Sequence, residues 1–131
     1  MKKWPVDHKN NSKNRDGFFK TILGDWIPLI PHEGNMPHRI FRLLSLLLFS
    51  SGTHALFIFR VGNLFGLYHL YPLAFICHKI LYHWYHLDVW CDTQIGPGHW
   101  WAHPLGIVYS RYAVIGRRVK VYHNVSIISS P

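Results

Sequence analysis

From Phe18 to about Leu87 the apolar positions have a helical texture, punctuated by Pro28, Pro31, Gly34 and Pro37 before a long apolar section opens. Within it, YPLAFICHKILYHWYH carries Leu73, Ile76, Ile80, Leu81 and Trp84 at spacings of three and four. Those positions make one stripe on a helix, with His78, Lys79, Tyr82 and His86 opposite. The pattern predicts a helix that packs by the stripe. After Asp88 the period changes. Val89, Ile95, Trp101, Ile107, Ala113, Val119 and Val125 recur every six residues, and Tyr109, Ile115, Val121 and Ile127 form a second six-residue series. Neither helix nor extended strand has that period. It suits short parallel strands joined by tight corners, three strands to a coil, with side chains pointing into a narrow triangular interior. Gly96 and Gly116 each follow an inward Ile, where a small residue lets the backbone turn.

The two series disagree in register. Counting forward from Ile95 reaches Trp101, while counting back from Ile127 reaches Tyr109, eight residues on where six are expected. Two extra residues must bulge out between them, in the corner AHPLG that contains His103. Irregular loops on a regular scaffold are where functional side chains tend to sit.

Composition fits one domain: 131 residues, 49% hydrophobic and 16% aromatic, enough for a modest core. Three parts are expected: a mobile polar tail over 1–17, a helical region over 18–87 and the six-residue repeats over 88–131. The formal charge of +8 draws about half its excess from Lys2, Lys3, Lys9, Lys13, Arg15 and Lys20 against Asp7 and Asp16. Those charges read as a solvated tail, and no nucleic-acid partner is inferred from them. Cys77 and Cys91, in a chain with no signal-peptide pattern, point to a reducing compartment and hence the cytoplasm, with both thiols structural or incidental. Arg42, Ser50, Ser51, Gly52, His54 and Arg60 interrupt the apolar run from Ile40 to Phe65, so it does not read as a membrane span. A peripheral membrane contact stays open. His83 and His86 lie three apart, but no carboxylate or thiol stands at matching spacing, so no metal site is expected. His99 and His123 are expected at the surface or in subunit contacts.

The stretch DVWCDTQIGPGHWWAHPLGIVYSRYAVIGRRVKVYHNV, Asp88 through Val125, resembles the serine acetyltransferase branch of the hexapeptide-repeat acyltransferases. Upstream, GTHALFIFRVGNLF, Gly52 to Phe65, is similar to the helical segment that precedes the repeats in that family. The resemblance implies an α+β fold, an N-terminal α-helical region followed by the first coils of a left-handed parallel β-helix. It implies acetyl-CoA as co-substrate, with no bound cofactor, and a trimer-based assembly. The family's catalytic histidine falls on His103 and the aspartate that orients it on Asp88, fifteen residues earlier. Ala102 stands where a second aspartate usually precedes the histidine.

Those roles have a chemical rationale. A hydroxyl attacks a thioester only if a base takes its proton, and a neutral imidazole can do so near neutral pH. A carboxylate on the other ring nitrogen fixes the tautomer and stabilises the imidazolium. Corner N–H groups could hold the oxyanion, and Arg117, Arg118 and Lys120 offer a basic rim for the phosphates of acetyl-CoA; their plainer reading is a solvated edge. L-serine is the first expected acceptor, a sugar of a surface polysaccharide the alternative. A non-catalytic interaction protein is the third reading. The family continues past the point where this chain reads IISSP, so a truncated relative is expected.

Overall fold

The computed structural model describes residues 17–30 and 34–129. The tail expected over 1–17 lies outside the described residues, Gly17 excepted. Helix α1 (Phe18–Trp26) runs into one 3-10 turn (Ile27–Leu29) and is followed by α2 (Met36–Phe49), α3 (Ser51–Leu67) and α4 (Tyr71–Tyr85). Pro37 and Pro72 stand in the first turns of α2 and α4, where the absent N–H loses no helical bond. Ser50 separates α2 from α3. Its extended backbone stops the first helix, and its hydroxyl accepts from the Thr53 N–H at 3.3 Å to start the next. At the end of α4, His86 turns left-handed (φ 53°) and sends the chain into the first strand.

Among the described residues seven short strands then wind in coils: β1 (Leu87–Val89), β2 (Gln94–Ile95), β3 (Trp100–Trp101), β4 (Ile107–Tyr109), β5 (Val114–Ile115), β6 (Lys120–Val121) and β7 (Ser126–Ile127). Every pairing is parallel, and the strands form three faces, β1-β4-β7, β2-β5 and β3-β6. Val89 pairs with Tyr109, twenty residues on, whereas Tyr109 pairs with Ile127, eighteen on. The first coil therefore holds two residues more than three six-residue steps, and the surplus falls between β3 and β4, at the AHPLG corner as the register predicts. Val89, Ile95, Trp101, Tyr109, Ile115 and Val121 are buried inside, together with Leu87, Ile107 and Ala113; Val119 and Val125 are half-buried against them. The coils are those of a left-handed β-helix, as expected.

A solenoid needs a cap over its open end. Here α3 supplies it: Ala55, Leu56 and Phe59 join the coil interior in one core, with Phe59 edge-on to Trp101 at 5.8 Å. The approach is close enough that a Cβ on Gly52 would collide with the carbonyl oxygen of Trp101. The Trp101 indole N–H donates to the Tyr109 hydroxyl at 3.3 Å, so both buried rings keep a polar partner.

Two expectations are corrected. Helix α4 packs by only part of its apolar stripe: Leu81 is buried and Ile80 half-buried, but Leu73, Ile76 and Trp84 are exposed, Trp84 by 79%, and Ala74, Cys77 and His78 are buried beside Leu81 instead. Close approach selects that face. A Cβ on Gly62 of α3 would run into Cys91 Sγ and lie 3.0 Å from Cys77 Cβ, so the two helices and Cys91 close up at that glycine. His78 is buried on the same helix because its Nδ1 reaches the Val89 carbonyl at 3.2 Å. Both cysteines are free and buried, and burial pushes the Cys91 thiol up to about 12.

His99, expected at the surface or in a subunit contact, is only 1% exposed and lies edge-on to Trp101 inside the coil at 5.2 Å. Burial, and secondly the nearby Arg60 charge, lowers its pKa from 6.5 to about 4. The unfolded ring binds a proton below about pH 6.5 and the folded one only below about pH 4. Stability is thus fully present above the upper value and falls as pH drops through this window, by up to about 1.4 kcal/mol per pH unit. Urea midpoints measured across that range should decline in the wild type and decline less steeply in His99→Leu. Parallel slopes would refute the assignment.

Candidate functional site

Alternation along β1 sets the position of Asp88. Leu87 and Val89 point into the coil, so Asp88 points out, with its side chain 43% exposed. The Nε2 of His78 lies 3.9 Å from the Asp88 Oδ1. The His78 ring is firmly placed: Nδ1 bonds Val89 O, and the ring stacks on Trp90 at 4.4 Å and 13°. Arg111 lies 4.5 Å from the Trp90 ring centroid. Because Nδ1 faces a carbonyl, it carries the proton, so Nε2 can donate toward Asp88 only when the ring is charged.

His103 sits on the bulged corner between β3 and β4 and is exposed. Its ring lies 6.3 Å from that of Tyr122 and 6.5 Å from that of His123. The corner is pinned on two sides. The Gly106 N–H donates to the His86 carbonyl at 3.0 Å, and the Leu105 carbonyl accepts from the Asn124 N–H at 2.8 Å. Gly106 has φ +65°, and a Cβ there would strike Asn124 Oδ1, so this turn requires glycine. The corner is thereby tied to the residue two before Asp88. Among the described residues no side-chain hydrogen bond joins Asp88 to His103.

The three cations are exposed but do not share one place. Arg117 and Arg118 lie on the corner between β5 and β6, where the Arg118 N–H donates to Pro97 O at 3.0 Å. Lys120 stands on β6 with its ammonium 4.4 Å from the Trp100 ring and 5.0 Å from that of Tyr122, the ring nearest His103. Only Lys120 thus connects with the His103 corner.

Sequence reasoning missed the strongest polar feature, a buried pair between α1 and α3. Arg60 donates through Nε to Asp25 Oδ2 at 2.9 Å and through Nη2 to Oδ1 at 3.2 Å. Its other N–H groups reach the carbonyls of Ile95 (2.7 Å) and Gly96 (2.9 Å). Asp25 Oδ1 also accepts from the Gly98 and His99 N–H groups at 2.7 and 3.2 Å. This network fixes the β2–β3 corner against the helices. A signal was present: Arg60 stands inside FIFRVG, where an arginine is buried only with a partner, and the chain has six acidic residues to choose from.

No family model matches the sequence, and no curated protein does. Solved structures do. A soybean serine acetyltransferase complexed with serine superposes with TM-score 0.70 at 24% identity, over 89% of this chain and 46% of that one. A serine acetyltransferase in complex with CoA gives 0.71 at 18% identity, over 91% of this chain and 49% of its own. A complex with cysteine gives 0.69 at 18%, over 90% and 47%. The chain spans just under half the length of the structures it matches. It has the fold of the N-terminal helical region and first left-handed β-helix coils of serine acetyltransferases.

Proposed function

We propose that the chain carries the catalytic corner of an acetyl-CoA-dependent O-acetyltransferase of the serine acetyltransferase type. The observation that carries this reading is the two-residue bulge holding His103 outward on a pinned corner, in a fold shared with those enzymes. His103 takes the proton of the acceptor hydroxyl as its oxygen attacks the thioester carbonyl. The C–S bond then breaks, and His103 returns the proton to the departing CoA thiolate, leaving an acetyl ester and free CoA thiol. Asp88 orients the imidazole. Its contact with His78, at 3.9 Å, is too long to hold the carboxylate firmly, so the group remains available to His103. Arg117, Arg118 and Lys120 would meet the phosphates of acetyl-CoA, Lys120 from beside the corner. The assembly is trimer-based and cytoplasmic in this reading.

L-serine is the first acceptor proposed, and one of the similar structures is a complex with serine. A sugar hydroxyl is the second, favoured by Ala102, which puts no carboxylate at the position immediately before His103 to balance an amino acid's ammonium group. Free thiol release from acetyl-CoA tests both, with L-serine in one arm and hexoses and N-acetylhexosamines in the other. Release with L-serine supports the first reading, and release with sugars alone supports the second. No release with any acceptor, from protein that remains folded by circular dichroism, would leave only a non-catalytic interaction protein.

A further inference from the structure

Helix α2 is built inside out. Met36, Ile40, Phe41, Leu44 and Leu48 are all more than half exposed, and Phe41 is 70% exposed. At about 3.6 residues per turn these five fall within one arc of about 140°. Leu46, half-buried, takes the opposite side, Leu43 and Ser45, also half-buried, stand just beyond the two ends of the arc, and no residue of α2 with a described side chain is fully buried. A contiguous apolar face of this kind on a soluble surface marks a contact.

We propose that α2 lies in the plane of an anionic lipid surface, with that arc in the acyl boundary and Arg42 and His38 at headgroup level. Three observations select this occupant. Arg42 and His38 stand on the exposed side of α2 away from the arc, no acidic residue occurs anywhere in α2, and the chain beyond its first twenty residues still carries about half of the +8, so the surface that complements it is negative. A second copy of the chain fits worse, because pairing α2 with its twin opposes arginines with no acid on either side. The helix also does not cross the bilayer as half of a span. Bent by 69° from α2, α3 buries Ala55, Leu56, Phe59 and Arg60 in the protein, with Arg60 locked to Asp25. That leaves α2 free to lie flat.

Co-sedimentation of the full chain with vesicles tests this independently of any enzymatic role. Binding is expected to mixed phosphatidylglycerol–phosphatidylethanolamine vesicles and at least about tenfold weaker binding to phosphatidylcholine vesicles. Phe41→Glu with Leu44→Glu should abolish it, and Arg42→Gln should weaken it about fivefold. All three substituted side chains are exposed, so circular dichroism should show folded variants. The proposal is overturned if the wild type ignores anionic vesicles or if the double variant still binds them. It is equally overturned if light scattering without lipid shows an oligomer that the double variant dissociates, since a second copy would then cover the face.

Discussion

Changing His103 to alanine is expected to slow thiol release from acetyl-CoA by about 10²–10⁴-fold, the usual contribution of a positioned general base. Stability should hardly move. The side chain is exposed, with ring neighbours no nearer than 6.3 Å, and surface changes of that kind stay within about 0.5 kcal/mol. The corner does not depend on the ring either, since it is held by backbone bonds from Gly106 to His86 and from Asn124 to Leu105. Rate and stability measured on one preparation therefore separate the catalytic role from a structural one. Turnover that survives the substitution would remove His103 as the base and leave the fold untouched.

Replacing Arg60 with methionine should be the most damaging change to stability. It leaves Asp25 almost fully buried with no counter-charge and strips two carbonyls of the β2–β3 corner of their donors. Breaking a buried pair from one side costs about 3–5 kcal/mol, of the order of a small domain's whole stability. Asp25→Leu alone should cost a comparable amount, since Arg60 then keeps its charge without the carboxylate. The double variant should lose much less than the sum, because neither charge is left uncompensated. Urea unfolding of the three variants measures this. Additive losses would mean that the two residues act separately and that the pair does not tie α1 to α3.

Much of the coil was legible in the sequence, and so was its one irregularity. A strand of two or three residues followed by a tight corner repeats every six residues because backbone geometry sets the step. Inward residues such as Ile95, Ile115 and Val121 therefore announce themselves without knowledge of what they meet. The mismatch between Trp101 and Tyr109 placed the bulge at His103 on the same ground. The contact of Asp88 with His78, from α4, was not legible.

What the chain determined by itself was thus its local periodicity: helices before Leu87, three-sided coils after it, and an outward histidine on the broken corner. Tertiary structure decided which faces meet. Helix α4 turned Ala74, Cys77, His78 and Leu81 inward and left Ile76 and Trp84 exposed, with Cys77 and Cys91 closing on Gly62. His99 was buried against Trp101 as the chain turned into β3, and Asp25 found Arg60 thirty-five residues away. Periodicity records how often a side chain faces one way, whereas burial of a polar group depends on partners distant in sequence, which no local pattern encodes.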